Sequence, residues 1–294
     1  MRRIVILSLA LSPALALSPA LAGASHYDNW RDWQYKDTET IQKSFNVSAS
    51  SDPKKLLVDN MHGIIHVNGY NGSEIRVTVH KEARGRSASA LEDAKREVKL
   101  DISQQGNYVR LYEDGPWHSS HGNNYRGDEY YGYHVNFDYD IEVPSGTELN
   151  LKGFNDKIEV RGTTGNFDIH GFNGGIQMED ITGSGWVETF NGSMNVKFRK
   201  NPERDSTFKT FNGSVDVYFQ PDFNADLHFK TFHGGVYSDF DVAPLPVKVG
   251  AGQNLNGKFV YRSNGGGSAQ VGKGGPSLSF SGFNGSIRLH SKVI

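Results

Sequence analysis

The sequence predicts an all-β fold, a single-stranded, β-helix-like β-solenoid of 18–21-residue coils with one short helix inserted. The first observation behind this prediction is a Phe-Asn-Gly phrase that recurs at intervals of 18, 18, 21, 21 and 51 residues. Self-similarity at a short, nearly fixed period is the signature of repeat architectures. The copies are Phe154-Asn155-Asp156, Phe172-Asn173-Gly174, Phe190-Asn191-Gly192, Phe211-Asn212-Gly213, Phe232-His233-Gly234 and Phe283-Asn284-Gly285.

The second observation is an alternation of apolar and polar residues on both sides of the phrase. The third residue before each Phe and the fourth residue after it are apolar in all six copies, and their neighbours are mostly polar. A period of two means that each repeat supplies two strands with one buried face. Asn and Gly both tolerate positive φ, which suits a bend between the two strands.

Two architectures fit this pattern. In an antiparallel β-meander, Asn-Gly would form a two-residue hairpin that pairs Lys209 with Asp216. In a solenoid, parallel coils place each residue beside its copy, so that Phe lies on Phe and Asn on Asn. A hairpin needs only Asn-Gly and has no reason to keep the Phe before it. The pattern therefore favours the solenoid and leaves the meander as the alternative.

The third observation is the composition. The chain has 34 Gly and 12% aromatic residues, which is turn-rich but too apolar for a disordered chain. It has no Cys, which excludes disulfides, thiolate metal sites and a cysteine nucleophile. The formal net charge is -2 and no basic stripe is present, so no nucleic-acid partner is predicted.

The N-terminus predicts export. Arg2 and Arg3 precede an apolar run that is interrupted by Pro and ends in Ala20-Leu21-Ala22, so residues 1–22 are interpreted as a signal peptide. No later stretch approaches the length needed to cross a bilayer, so no transmembrane segment is predicted in the mature chain. The expected location is the periplasm, the cell surface or the medium.

The rest of the chain divides into two parts. Residues 23–55 are polar and aromatic without a clear period, and are interpreted as an N-terminal entry or cap segment. Residues 56–294 form the predicted solenoid domain. Within it, a capping box that starts at Ser89 predicts a helix near 89–98, and residues 115–135 form a Tyr/His-rich loop.

Several of these segments together resemble one family. They are LLVDNMHGIIHVNGYNGSEIRVTV, the inserted helix, FDYDIEVPSGTELNLKG and the serial FNG-x-I/V-x-V copies, and their order resembles the bacterial putative-adhesin domain family. The resemblance covers roughly residues 55–290. It implies an exported β-strand-repeat protein with an adhesin-like role, and it supplies no catalytic residues.

The Tyr/His-rich loop is the candidate binding site. Aromatic rings with scattered polar groups can stack on sugars or contact a protein, so envelope polysaccharide or protein is the predicted partner. The residues nevertheless favour a mobile surface insertion, and ligand binding is the alternative. The imidazoles, with Asp128 and Glu129, could hold a divalent metal, but their spacing matches no zinc motif, so neither a metal nor a cofactor is predicted. The candidate residues are Trp117, His118, His121, Tyr130, Tyr131, Tyr133 and His134.

No catalytic motif is evident in the sequence. It contains neither a G-x-S-x-G elbow nor an H-E-x-x-H pair. The favoured function is an exported, non-catalytic, envelope-associated module for adhesin-like binding or scaffolding, of open oligomeric state. The alternative is a glycan-processing hydrolase or lyase that would use outward carboxylates of the repeats. Those carboxylates are Glu159, Asp168, Glu188 and Asp216.

Overall fold

The all-β class is confirmed, and the strands form two large mixed sheets. The computed structural model describes residues 29–48, 52–119, 122–123, 126–245, 253–255, 258–260 and 267–291. The predicted signal peptide, residues 1–22, and the candidate His121 lie outside the described residues. One sheet has 10 strands and the other has 11, and two two-stranded ribbons accompany them.

The described chain begins with a short 3-10 turn at Trp30–Asp32. Its helices are α1, Ala88–Glu97, and α2, Asp128–Tyr131. The strands are β1 Tyr35–Asn46, β2 Lys55–His62, β3 Ile65–Tyr70, β4 Glu74–Gly85, β5 Lys99–Gln105, β6 Tyr108–Asp114, β7 His118–Ser119, β8 Gly122–Asn123, β9 Tyr133–Pro144, β10 Glu148–Asn155, β11 Ile158–Arg161, β12 Phe167–Gly171, β13 Ile176–Ile181, β14 Gly185–Asn191, β15 Met194–Phe198, β16 Ser206–Asn212, β17 Val215–Phe219, β18 Ala225–His233, β19 Val236–Ser238, β20 Val242–Leu245, β21 Gln253–Leu255, β22 Lys258–Val260, β23 Gly267–Val271, β24 Ser277–Asn284 and β25 Ile287–Ser291.

Each repeat contributes one strand to each large sheet. The 10-stranded sheet has the order β1-β4-β9-β3-β11-β13-β15-β17-β25-β19, and the 11-stranded sheet has the order β20-β23-β18-β24-β16-β14-β12-β10-β2-β6-β5. The inward residues of both sheets form one hydrophobic cluster, and those of the repeats include Val187, Phe208 and Val215, all fully buried. The alternation read from the sequence therefore describes the core.

Neighbouring repeats pair in parallel and in register. Lys209 lies beside Glu188 on one side and beside Ser281 on the other. Asp216, the fifth residue after Phe211, belongs to the other sheet and pairs with Asn195 and Arg288. Antiparallel pairs join β1, β4 and β9 near one end and β18, β23 and β20 near the other, which makes both sheets mixed.

The register places equivalent corner residues on top of one another. Adjacent Phe rings lie 4.5, 5.1, 4.7, 4.7 and 4.9 Å apart between centroids and within 6° of parallel. We call this row the Phe ladder, and in spatial order it consists of Phe154, Phe172, Phe190, Phe211, Phe283 and Phe232.

A row of side-chain hydrogen bonds runs beside the Phe ladder. The amide nitrogen of each Asn donates to the amide oxygen of the Asn before it in the row, over 2.7 to 3.0 Å. The row, which we call the Asn ladder, consists of Asn155, Asn173, Asn191, Asn212 and Asn284. His233 ends it, with its Nδ1 3.2 Å from the oxygen of Asn284.

The spatial order of the repeats differs from their order in the chain. Phe283 is the last copy in sequence, yet its ring lies between those of Phe211 and Phe232. Strand β24 is correspondingly inserted between β16 and β18. The copy that carries His233 in place of Asn is therefore at the end of the Asn ladder. At that position the imidazole has one neighbour in the ladder, Asn284, instead of two.

The glycine of each corner is required by the neighbouring coil. A Cβ at Gly192 would lie 2.1 Å from the carbonyl oxygen of Gly174, and one at Gly213 would lie 2.2 Å from that of Gly192. Positive φ, the reason inferred from the sequence, applies to Gly213 at +147°, whereas Gly192 is not among the positive-φ residues. The close approach of stacked backbones is thus the more general cause.

The inserted helix begins earlier than its predicted capping residue. The N-cap of α1 is Ser87, whose hydroxyl accepts a hydrogen bond from the backbone N–H of Ala90 at 3.1 Å. Ser89, the predicted start of the capping box, lies inside the first turn and contacts the Ser87 hydroxyl at 2.9 Å. Ala94 is fully buried, so the helix packs its small-residue face on the core.

Two phenylalanines of β16 test which rows hold the fold together. Phe208 is fully buried and stacks on Phe280 at 5.2 Å, whereas Phe211 is 38% exposed in the Phe ladder. Phe208→Ala is expected to lower the free energy of unfolding by about 3–5 kcal/mol. Phe211→Ala removes ring stacking with less burial and is expected to cost about 1–2 kcal/mol. Urea denaturation measures both, and equal losses would contradict this division.

A pair of glycines tests the close approach of the corners. Gly192→Ala must displace the backbone of the neighbouring coil, and we expect a loss of at least about 1–3 kcal/mol. The matched control is Gly267→Ala, because a Cβ there meets nothing within 4 Å. The control should change stability by less than about 0.5 kcal/mol. A Gly192→Ala variant as stable as the control would show that the corners are not closely stacked.

Candidate functional site

The Tyr/His-rich loop replaces a corner of the stack. Strand β6 pairs in parallel with β2 through Tyr112 and Asp59, and β9 pairs in parallel with β3 through Tyr139 and Ile65. Ile65 follows Asp59 by 6 positions, whereas Tyr139 follows Tyr112 by 27 positions. The extra residues lie where other coils carry Phe-Asn-Gly, so the loop is placed at the end of the two ladders.

The coil next to the loop has a diverged corner. His62 pairs with Asn155, so Met61, His62 and Gly63 occupy the Phe, Asn and Gly positions of the repeat. The buried carboxyl of Glu113 accepts a hydrogen bond from the backbone N–H of Met61 at 2.6 Å and so fixes this corner. Complete burial raises the pKa of Glu113 to about 8. His62 therefore extends the line of the Asn ladder toward the loop.

The candidate residues of the loop differ widely in accessibility. Trp117, Tyr133 and His134 are buried, with 2%, 3% and 4% of their surface exposed, whereas Tyr130 is 62% exposed. Tyr131 is half-buried, and its ring contacts that of Trp117 edge-on at 5.8 Å. Much of the aromatic surface that suggested ligand binding is therefore used to pack the loop on the core.

Tyr133 connects the loop to the inserted helix. Its hydroxyl donates to the carboxylate of Glu97 at 2.8 Å, at the end of α1. Burial, followed by the neighbouring Glu97, raises the pKa of Tyr133. The phenol therefore stays protonated and keeps its role as a donor.

One groove brings the loop and the Phe ladder together. His118 lies beside the hydroxyl of Tyr112 at 2.9 Å and lines a cavity of about 500 Å³. The wall of this groove includes Asp59, Lys152, Phe154, His170 and Phe172. Burial raises the pKa of Asp59, although Lys152 and His118 oppose that shift. Apolar rings and titratable groups of both signs thus line one recess.

A second cavity, of about 590 Å³, is lined by Trp30, His62, Asp128 and His134. The ring of Trp30 stacks on that of His134 at 3.7 Å, and the ring of His62 lies 4.5 Å from that of His134. Asp128, at the start of α2, is 2.9 Å from Nδ1 of His134. Burial, and next the neighbouring His134, lower the pKa of His62 to about 3, so its imidazole is neutral.

Sequence reasoning missed His62 and Trp30 as members of this cavity. Trp30 belongs to the segment interpreted as a cap, and His62 to a strand end far from the loop. An alignment of Met61-His62-Gly63 with Phe-Asn-Gly would have placed His62 at the ladder end. No local pattern indicates that His134 meets it there.

The four outward carboxylates are divided between the two sheets. Glu159 and Asp216 belong to the 10-stranded sheet, whereas Asp168 and Glu188 belong to the 11-stranded sheet. Each has a cationic or imidazole partner; for example, Asp168 lies 2.7 Å from His170 and Glu188 lies 2.6 Å from Lys209. Asp168 and Glu188 lie on neighbouring strands of one sheet, and each is engaged by its own imidazole or ammonium partner.

Comparisons with known proteins identify distant structural neighbours. No protein-family model and no curated protein matches the sequence. One similar solved structure is a "putative cell adhesion protein" from Clostridium sporogenes. It is 12% identical, the match covers 86% of this chain and 100% of that chain, and the TM-score is 0.37. Another is a "putative adhesin" from Bacteroides fragilis, which is 11% identical, with 85% of this chain and 97% of that chain covered and a TM-score of 0.42. A third is a "putative lipid binding protein" from Parabacteroides distasonis, which is 13% identical. The match covers 87% of this chain and 96% of that chain, and the TM-score is 0.27.

Likeness at this level does not establish a shared ligand. The names quoted above belong to the neighbouring proteins, and sequence identities of 11–13% lie far below the level that indicates a common activity. As to membranes, neither described helix has the length and apolar character needed for a span.

Two aromatic residues of the loop test its packing. Trp117→Ala removes a side chain that is 2% exposed and should lower the free energy of unfolding by about 3–5 kcal/mol. Tyr130→Ala, at 62% exposed, should cost less than about 1 kcal/mol. Thermal unfolding followed by circular dichroism compares them. A Trp117→Ala variant with unchanged stability would show that the loop is not packed on the core.

Proposed function

We propose that the chain is an exported, non-catalytic β-solenoid that serves as an adhesin-like binding or scaffolding module of the cell envelope. We further propose that the edge formed by the Phe ladder docks a protein partner. The observation that supports this proposal is the exposure of the ladder. Phe172, Phe190, Phe211 and Phe283 are each 38–41% exposed, and Phe232 is 69% exposed.

The ladder forms a continuous apolar stripe. With six rings at the spacing of neighbouring strands, its length is roughly 24 Å. Large aromatic side chains are uncommon on surfaces that contact only water, and contiguous exposed apolar surface is typical of interaction sites. A partner that covered the stripe would bury the exposed part of the Phe rings, and that burial would contribute free energy to binding.

The orientation of the rings favours a protein over a polysaccharide. Sugars bind aromatic side chains mainly through ring faces, but here each inner ring covers the faces of its neighbours, within 6° of parallel. The solvent meets ring edges instead. Edges form a ridge that apolar side chains of a partner can straddle, which is the way aromatic residues contribute to protein interfaces.

Polar residues flank the ladder on the 11-stranded sheet. They occupy the position two residues before each Phe and carry both charges and neutral groups. Glu188 and Lys209 are already paired within the row at 2.6 Å. A polar rim beside an aromatic core is the usual anatomy of a protein interface. The row consists of Lys152, His170, Glu188, Lys209, Ser281 and Lys230.

Repetition gives the surface its mode of binding. Because the same side chains recur in each coil, a partner with a repeated or extended segment could make several similar contacts at once. Contacts that are weak singly then add up to useful affinity. The groove beside His118, which also contains Phe154 and Phe172, provides a distinct recess at one end of the stripe.

Site-specific crosslinking in cells that produce the protein tests this proposal. A photo-activatable residue at Phe172 or Phe211 should form crosslinks to protein in the cell envelope. The control positions are Gln177 and Asn195, which are outward residues of the 10-stranded sheet. Those positions should give few or no crosslinks, because they face away from the proposed interface.

Binding of the purified chain to isolated envelopes gives the quantitative measure. Phe172→Ser with Phe211→Ser should weaken binding at least tenfold, as expected for central aromatic contacts, whereas Gln177→Ser with Asn195→Ser should not. Protease treatment of the envelopes should abolish binding. Binding that survives protease but is lost after glycan digestion would assign the partner to polysaccharide, and binding indifferent to the Phe substitutions would refute the ladder as the site.

A further inference from the structure

The second cavity brings together three side chains that commonly bind metals. His62, Asp128 and His134 each contribute one ligand atom, and these atoms all lie within 4.8 Å of one another. We propose that these three residues bind a divalent transition-metal ion of the zinc type. This inference goes beyond the proposed docking function and does not depend on it.

The chemistry of the ligands indicates the class of ion. Two imidazoles and one carboxylate suit zinc and its neighbours in the first transition series, whereas calcium and magnesium prefer oxygen ligands alone. Metal–ligand bonds of about 2.0–2.2 Å place adjacent ligand atoms roughly 3–3.5 Å apart. The 2.9 Å between the Asp128 carboxylate and Nδ1 of His134 is close to that range. Three protein ligands would leave a coordination position for water or a partner group.

His134 is held in place at this site. Its side chain is 4% exposed, and its Nδ1 lies 2.9 Å from the Asp128 carboxylate. The ring of Trp30 stacks on the ring of His134 at 3.7 Å, which restricts the imidazole to one plane. Nδ1 is therefore the nitrogen of His134 that would bind the ion, with Asp128 as the adjacent ligand.

The corner that presents His62 is rigid. The side-chain amide of Asn60 donates to the carbonyl oxygens of His62, Gly63 and Phe137, over 3.0 to 3.1 Å. Gly63 has φ of +113°, and a Cβ there would lie 2.1 Å from the oxygen of Phe137. Because the backbone is held on both sides, His62 is positioned before any ion arrives.

The cavity is also acidic. Asp138 and Asp156 line it, and each accepts a backbone hydrogen bond from the same corner, from Ile64 at 2.9 Å and Gly63 at 3.0 Å. Glu82 lines it as well, although that carboxylate is paired with Lys36. Arg31 also lines the cavity, but the carboxylates outnumber it, so the recess favours a cation over an anion.

The ion would join elements that are distant in sequence. His62 ends β2, Asp128 begins α2 and His134 lies at the start of β9. Trp30, from the N-terminal turn, covers the ring of His134. Coordination would therefore hold the expanded corner and the N-terminal segment against the end of the Asn ladder. A site formed only in the folded chain adds its binding free energy to stability.

Direct metal binding to the purified, tag-free chain tests the site. After treatment with a chelator, the protein is titrated with Zn²⁺ by calorimetry and with Co²⁺ by visible absorption. We expect one zinc ion per chain, competition between the two metals and a tetrahedral or five-coordinate cobalt spectrum. Mg²⁺ should not compete. A wild-type chain that is folded but binds no zinc at one equivalent overturns the proposal.

Matched variants separate this site from adventitious binding. Asp128→Asn, His62→Gln and His134→Gln should each weaken zinc binding roughly 10–100-fold or more. The control is His66→Gln with Asp140→Asn, because this pair is more exposed than His134 and has a similar separation of 3.3 Å between Nδ1 and Oδ1. Circular dichroism without metal identifies any variant that fails to fold. If a histidine variant does not fold, Asp128→Asn still tests metal binding, because asparagine has nearly the same shape as aspartate. Loss of binding in the control alone, or unchanged binding in Asp128→Asn and His62→Gln, would also overturn the proposal.

Discussion

The in-register parallel pairing of equivalent residues is the constraint on which the structure depends. It places the buried Phe208 on Phe280 and the exposed Phe211 on Phe283 in the same step. A shift of one residue would turn the core row outward and the corner row inward, since strand side chains alternate with a period of two. The two ladders are therefore consequences of one register, and so is the need for glycine where Gly192 meets Gly174.

Because this register constrains the residues of the strands, the repeats can differ in sequence mainly at their corners. One corner has expanded into the Tyr/His-rich loop, and the next has exchanged Phe-Asn-Gly for Met61-His62-Gly63. The remaining corners keep the Phe ladder at the surface. The proposed docking edge and the proposed metal site are thus two uses of the same structural position, the first repeated along the stack and the second confined to its end.

Several elements could be predicted because their causes are local. The apolar alternation around Val187 and Val215 predicted two strands per repeat, and the residues around Ser89 predicted a helix whose start was misplaced by two residues because Ser87 caps it. The loop could be predicted from its aromatic residues, but the burial of Trp117 and Tyr133 could not be predicted. Burial depends on which surface a loop meets, and the sequence of the loop contains no information on the core beneath it.

The sequence by itself determined the all-β class, the period of the repeat and the alternation of its inward and outward residues, since these follow from local backbone preference and the hydrophobic effect along short segments. Only the tertiary structure decided that Phe283 enters the stack between Phe211 and Phe232, and that His62, Asp128 and His134 meet. The physical reason is that near-identical copies offer nearly equal pairing partners. The choice among them, and every contact at the ends of the stack, depends on how distant parts of the chain pack together.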